Sequence, residues 1–127
     1  MRYVVETAKP VTQAAEDLEA AVKRHGFGVL HVYDLKATLH EKGFDLPQQC
    51  RIFEICNPRQ AVQVLSSDMG MNVALPCRIS VYEQDGKTHI GMIKPTALLA
   101  SLSGAEGLAT VAEEVEQATV KMIEEAR

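Results

Sequence analysis

The chain has 127 residues, of which 46% are hydrophobic and 24% are charged, and its formal net charge is −4. This is the balance of a globular protein, and the length fits a single domain over residues 1–127. Because the chain has an acidic excess and no run of Lys or Arg, we expect no binding to nucleic acid or to an anionic membrane surface. No apolar run approaches the roughly 20 residues of a membrane span. Three cysteines in a chain without an export signal predict reduced thiols in the cytoplasm.

In the first part of the chain, the sequence pattern predicts strands that alternate with helices. Strand, helix, strand and short helix are predicted at residues 2–6, 12–23, 28–34 and 35–42. Thr12 is the expected N-cap of the first helix, because its side-chain oxygen can accept a backbone hydrogen bond there. Gly26 suits the left-handed conformation that commonly follows a helix. The second strand is rich in β-branched and aromatic residues, which favour a pleated sheet.

A third strand and a further helix follow, with a sharp boundary between them. Residues 51–56 alternate apolar and polar side chains, which is typical of a half-buried strand. Asn57 is a favoured N-cap and Pro58 a favoured first helical residue, so a helix is predicted from Pro58 to about Ser66. Its buried residues are expected to be Ala61, Val62 and Leu65. Residues 68–72 are predicted to form a loop.

The strongest local signal is that of a β-hairpin. Asp85-Gly86 is a two-residue type I′ turn sequence, and a β-prone run of residues lies on each side of it. The turn sets the register of the two strands and places Tyr82 opposite His89. The face expected to point into the core carries Ile79, Val81, Ile90 and Met92. The opposite face is expected to carry Ser80, Tyr82, His89 and Gly91.

The remaining residues predict helices. Thr96 to Leu102 is predicted to form a short helix or turn. Ser103 and Glu106 match a capping box, so the last helix is predicted to begin there. Apolar residues then recur every three or four positions, as in an amphipathic helix, at Leu108, Val111, Val115, Ala118 and Met122.

These elements give the order β-α-β-(α)-β-α-β-β-α. An antiparallel hairpin together with sheet-covering helices predicts an α+β two-layer sandwich, with a mostly antiparallel sheet and helices on one face. The other face of the sheet would then carry polar and aromatic residues. A solvent-exposed face of this kind is normal for an antiparallel sheet, and it is equally suited to a dimer contact.

Four stretches of the chain resemble, in order, the bacterial and archaeal family called domain of unknown function 302. They are GFGVL at residues 26–30, DLKATL at 34–39, CNP at 56–58 and LPCRISVYE at 75–83. The similarity extends over nearly the whole chain. It implies a compact α+β fold like that of the TATA-binding protein, and oligomerisation, often as a dimer. It implies no established activity.

Cys56 is the residue whose predicted surroundings are most favourable to chemical reactivity. It directly precedes the predicted helix start at Asn57 and Pro58, where free N–H groups and the helix dipole stabilise an anion. A thiolate there would be stabilised in the same way, which would raise the reactivity of the thiol. The other interpretation is a small, buried, apolar residue at the end of a strand, since cysteine is among the most buried residue types.

Cys77 is a candidate partner of Cys56, because an antiparallel arrangement of their strands brings the end of one near the start of the other. The alternation of side chains along each strand is unfavourable to a close Cys56–Cys77 contact. Cys77 shares a face with Ile79, whereas Cys56 shares one with Glu54. The polar sheet face adds Tyr82 and His89, and His89 is expected to share a groove with Glu54. The four histidines lack any metal-ligand spacing with each other or with the cysteines, so no metal site and no cofactor are predicted.

Three functional hypotheses remain open from the sequence. The first is a homodimeric binding domain that takes a small anionic or thiol-reactive ligand at Cys56-Asn57-Pro58, with Glu54, Tyr82 and His89 as further ligand-binding residues. The second is a thiol-dependent redox or sulfur-transfer enzyme, with Cys56 as nucleophile and Cys77 as resolving thiol. The third is a structural domain that associates with itself through the polar face of the sheet.

Overall fold

The computed structural model describes residues 1–102 and 107–127, and it confirms the α+β class. Within these residues, five strands and five α-helices are joined by short connections and by one 3₁₀ helix. The strands are β1 (Arg2–Thr7), β2 (Gly28–Asp34), β3 (Cys50–Cys56), β4 (Cys77–Gln84) and β5 (Lys87–Ile93). The α-helices are α1 (Val11–Arg24), α2 (Leu35–Glu41), α3 (Pro58–Ser67), α4 (Pro95–Leu102) and α5 (Leu108–Ala126). The 3₁₀ helix is Met69–Ala74.

The five strands form one antiparallel sheet in the order β1-β5-β4-β3-β2. Because β1 and β2 are its two edges, the intervening helix α1 must cross the whole width of the sheet. The β2–β3 register shifts between Val29 and His31, which marks a β-bulge on the edge strand β2.

The predicted hairpin is confirmed in its register. Tyr82 lies opposite His89, and Val81 lies opposite Ile90. Asp85 and Gly86 have φ angles of 53° and 74°, the positive values that a type I′ turn requires at both central positions. The four residues predicted for the core face, Ile79, Val81, Ile90 and Met92, are all buried.

The core fills the space between one face of the sheet and the helices α1 and α5, which pack against each other. Leu18 and Val22 of α1 are completely buried, as are Met122 and Ile123 of α5. Along α5, the predicted apolar stripe is buried at Leu108, Val111, Val115 and Met122, while Ala118 is partly buried.

The C-terminal end of α5 is tied to β1 and α1 by polar contacts. Lys9 Nζ donates to Asp17 Oδ2 at 2.7 Å and to the carbonyl of Ala126 at 2.9 Å. Tyr3 donates its hydroxyl hydrogen to Glu124.

None of the helices in the described part of the chain combines the length and the hydrophobicity that a membrane span needs.

The structure corrects two predicted helix details. The first helix begins at Val11 with Pro10 as its N-cap, so Thr12 lies inside the first turn and is not the cap. The earlier start buries Val11 in the core. In α3, Val64 is buried, Ala61 and Leu65 are half-buried, and Val62 is 64% exposed, because the helix turns positions 61, 64 and 65 toward the protein.

Of two further predictions, one is wrong and the other falls outside the described residues. The segment after α3, predicted as a loop, contains the 3₁₀ helix, which buries Met71 against the core. The predicted capping box of Ser103 and Glu106 lies outside the described residues. The described part of α5 begins at Leu108, after Gly107 with a φ of 87°.

Candidate functional site

A cavity of about 850 Å³ lies at one end of the sheet, where β3 ends and β4 begins. Small-molecule sites in proteins commonly measure roughly 300–1,000 Å³, so this cavity is large enough for a ligand. Most of its lining is aliphatic and comes from α3, α4, α5 and the 3₁₀ helix region. The aliphatic lining includes Ala61, Val64, Leu65, Val73, Leu75, Leu98, Leu99, Val111 and Val115.

Chain direction explains why the cavity forms at this end. In an antiparallel sheet, β3 and β5 run in the same direction because both pair with β4, so both end where β4 begins. Pro58 and Pro95 begin α3 and α4 directly after those two strands. The two helices therefore leave the sheet at the same end, and together with α5 they enclose the cavity. The chain enters β4 there through a cis peptide bond between Leu75 and Pro76.

Asn57 occupies the predicted N-cap position of α3. Its Oδ1 accepts a hydrogen bond from the backbone N–H of Gln60 at 3.1 Å. Its carbonyl oxygen accepts the first helical hydrogen bond, from the N–H of Ala61 at 2.9 Å. Cys56 directly precedes this cap, is half-buried and lines the cavity. The predicted junction of thiol and helix start therefore exists and opens onto a cavity.

Cys77 also lines the cavity, but its chemistry differs from that of a reactive thiol. Burial, with a smaller contribution from the nearby Cys56, raises the pKa of the Cys77 thiol to about 11. In the β3–β4 register, Cys77 lies opposite Ile55, so Cys56 and Cys77 belong to opposite faces of the sheet. Both cysteines are free thiols.

Cys50 lies away from this site. It begins β3 whereas Cys56 ends it, a separation of about 20 Å at roughly 3.3 Å per residue. Its register partner in β4 is Tyr82. Burial, and secondarily the charge of Asp34, raises the pKa of the Cys50 thiol.

Glu54 forms a polar cluster at the edge of the cavity with residues of both neighbouring strands. It lies opposite Arg78 of β4, whose Nε is 3.9 Å from Glu54 Oε2, and both residues line the cavity. On the other side, the nearby Glu54 carboxylate is the main cause of the raised pKa of Tyr33, because it favours the protonated phenol. His31 is the register partner of Glu54 in β2, and its ring packs edge to face on Tyr33 at 4.4 Å.

Sequence reasoning missed Arg78 and Tyr33 as neighbours of Glu54. Each lies far from Glu54 in the sequence and reaches it only through strand pairing. The alternation within β3 and the hairpin turn predict the faces of β3 and β4, but not the register between these two strands. The pairing of Glu54 with Arg78 is therefore a tertiary feature.

Tyr82 and His89 lie elsewhere on the sheet. Their rings stack with centroids 5.2 Å apart, and His89 also pairs in register with Glu6 of β1. Tyr82 is four residues along β4 from Arg78, or about 13 Å. The expected groove shared by His89 and Glu54 is thus not formed, because His89 lies near the hairpin turn and Glu54 near the opposite end of the sheet.

Gln60 contributes a polar atom to the cavity region. Its side-chain nitrogen donates to Glu114 Oε2 at 3.4 Å. Its Oε1 is buried and accepts no hydrogen bond from any residue that the structure describes. Within residues 1–102 and 107–127, no three His, Cys, Asp or Glu side chains are grouped so that they could hold a metal ion.

Comparison with known proteins gives a consistent result. The chain matches the family model described as "Domain of unknown function DUF302" over residues 3–126. It is similar to the crystal structure of an uncharacterized conserved protein DUF302 from Bacillus stearothermophilus, at 33% sequence identity and a TM-score of 0.93. That match covers 99% of this chain and 98% of the other. None of the curated proteins compared with the chain matches it.

Proposed function

The chain belongs to the domain of unknown function DUF302 family, and on that premise we propose that it is a small-molecule binding domain. The ligand occupies the cavity beside Cys56, at the start of α3. The observation that carries this proposal is the cavity itself, whose volume of about 850 Å³ suits a small molecule and whose lining is mainly aliphatic.

The lining determines what kind of ligand fits. Removing apolar surface from water contributes roughly 25 cal/mol per Å², so an apolar ligand body is favoured in contact with side chains such as Val64, Leu99 and Val115. A small, fully charged anion would lose its hydration in these surroundings without an equivalent gain. The anionic or thiol-reactive part of the ligand therefore belongs at the edge of the cavity, near Cys56 and the first turn of α3.

Fluorescence of the neutral dye Nile red tests this proposal, because the dye becomes brighter in apolar surroundings. We expect the wild-type protein to bind Nile red and Ala61→Phe, which places a ring in the cavity, to lose at least most of that binding. Ala20→Phe makes the same change at an exposed position of α1 and should bind the dye like the wild type. Equal binding by all three proteins would exclude the cavity as the site.

A second candidate is a thiol-dependent enzyme in which Cys56 is the nucleophile and Cys77 the resolving thiol. It is supported by the position of both residues along one cavity. The high pKa and the opposite face of Cys77 are unfavourable to it. With peroxide as oxidant, the two thiols would lose two electrons and two protons to form one S–S bond and water. The absence of a Cys56–Cys77 disulfide after peroxide treatment, with Cys56 no more reactive than a free thiol, would exclude this candidate.

We further propose that the protein forms a homodimer in the cytoplasm. The three free thiols suit a reducing compartment. The sheet face that carries Tyr82 and His89 also exposes Val4 and Ile93, and it is the proposed contact surface. Changing Tyr82 and His89 to Glu should halve the mass measured in solution. An unchanged dimer mass would exclude this face as the interface.

A further inference from the structure

We infer that the ligand is an amphipathic anion, whose apolar chain fills the cavity and whose carboxylate binds Arg78. This inference rests on the proposed binding function and adds the chemical class of the ligand. It begins from the distribution of charge. Among the described residues that line the cavity, only Glu54 and Arg78 carry a formal charge at neutral pH, and they are adjacent.

The two charged side chains differ in how available they are. The Glu54 side chain is only 16% exposed. The Arg78 side chain is 60% exposed, and its one ion pair within the described chain, at 3.9 Å, involves Nε and Glu54. The terminal amino groups of Arg78 are therefore accessible, whereas the carboxylate of Glu54 is largely buried. The more exposed of the two charged groups at the edge of the cavity is therefore a hydrogen-bond donor.

Guanidinium geometry then selects the anion. The terminal nitrogens of Arg form a planar fork that binds a carboxylate through two parallel hydrogen bonds. The 3.9 Å contact with Glu54 involves Nε, so the terminal nitrogens remain available to the ligand. α3 begins at Pro58, two residues after β3 ends at Cys56, and the positive end of its dipole adds to the favourable potential at the same edge.

The experiment compares two ligands of equal chain length, decanoate and decanol, as competitors of Nile red. The wild type should bind decanoate at least about tenfold more tightly than decanol, since a hydrogen bond to a charged group contributes about 1.5–3 kcal/mol. Arg78→Gln should bring the two affinities within about twofold of each other and leave that of decanol unchanged. Arg24→Gln, a matched change at an exposed arginine away from the cavity, should keep the wild-type preference.

If Arg78→Gln fails to fold, a measurement on the wild type alone still tests the inference. Added salt should reduce the preference for decanoate without weakening decanol, because screening acts on the charged contact. Glu54→Gln removes a negative charge that repels an anionic ligand at the edge of the cavity, so it should strengthen the binding of decanoate only.

The outcomes separate this inference from the proposed function. If the wild type binds decanoate and decanol equally, or if Arg78→Gln keeps the preference, the carboxylate assignment is wrong while the cavity remains a binding site. If the wild type binds Nile red, decanoate and decanol not at all, the binding function itself is wrong and the inference falls with it.

Discussion

Cys77 lies directly opposite Ile55 in the β3–β4 register, so its side chain and that of Cys56 project from opposite faces of the sheet. Both nevertheless line one cavity, because the cavity lies at the end of the sheet and is lined by residues from both of its faces. The two thiols therefore share a site without the geometry of a relaxed disulfide. This relationship favours separate roles for them.

The first prediction concerns the alkylation of Cys77. With a pKa of about 11, only a small fraction of this thiol is ionised near pH 8. We expect iodoacetamide to modify Cys77 slower than a free thiol by a factor on the order of 10², because the thiolate is the reacting form. Peptide mass spectrometry of the modified protein at increasing pH measures this rate. In urea all three cysteines should react alike, and fast reaction of Cys77 in the folded protein near pH 8 would contradict the prediction.

The N-cap of α3 gives a second prediction. Asn57→Ala removes the acceptor for the N–H of Gln60 and should lower the free energy of unfolding by about 1 kcal/mol. Asn57→Asp keeps an acceptor and should retain most of the stability. Urea unfolding followed by circular dichroism measures both variants. A stability of Asn57→Ala equal to that of the wild type would show that the cap contributes nothing.

Gly91 lies beneath Val4 of the neighbouring strand and gives a third prediction. A Cβ at position 91 would lie 2.8 Å from Val4 Cγ2 and 3.3 Å from the carbonyl oxygen of Tyr3. Val is stiff about its first side-chain bond, so it cannot yield freely. Gly91→Ala should therefore destabilise the protein by about 1–3 kcal/mol.

The double variant isolates that contact. In a Val4→Ala background the close methyl group is gone, and Gly91→Ala should cost much less than it does in the wild type. Chemical unfolding of the four proteins in this cycle measures the coupling between the two positions. Equal costs in both backgrounds would mean that the clash with the Val4 side chain does not limit the size of residue 91.

The fourth prediction concerns acid stability. Hydrogen bonds from Lys9, and secondarily from Gln13, lower the pKa of Asp17 in the folded protein. The ionised form is therefore preferred by the folded state, and its stabilisation is complete above the unfolded pKa of about 3.9 and is lost as pH falls through the lower folded pKa. Asp17→Asn should be less stable than the wild type at neutral pH, and the difference should shrink toward about pH 2.

Urea unfolding of both proteins across this pH range provides the measurement. Glu16→Gln, at an exposed neighbouring position of the same helix, serves as the control for the loss of one negative charge. A stability difference for Asp17→Asn that stays constant down to the acid limit would contradict the assigned role of the ion pair with Lys9.

Local features of the sequence were predictable because they depend on neighbouring residues. The turn at Asp85-Gly86 needs positive φ angles that these two residues tolerate, so the hairpin and its register follow directly from the sequence. Asn57 and Pro58 likewise define a helix start through one side-chain hydrogen bond and one restricted φ angle. The sequence motifs also indicated the family, and the family match over residues 3–126 confirms it.

Other features depend on contacts between distant segments. The orientation of α3 differs from the predicted one because tertiary packing selects Val64 and leaves Val62 in solvent. The separation of His89 from Glu54 follows from the β3–β4 register, which no short-range turn determines. The pairing of Glu54 with Arg78 follows from the same register, and the proximity of Glu54 to Tyr33 follows from the β2–β3 register.

The sequence by itself therefore determined the strands, most helices, the hairpin register and the thiol at the start of α3, since each is specified by periodicity, turn chemistry or capping within a few residues. Only the tertiary structure decided that this thiol lines an aliphatic cavity and that Arg78 lies at its edge. The physical reason is that a cavity is enclosed by segments distant in the sequence. Here the ends of β3 and β5 direct two helices outward at the same end of the sheet, and α5 returns to enclose the space between them.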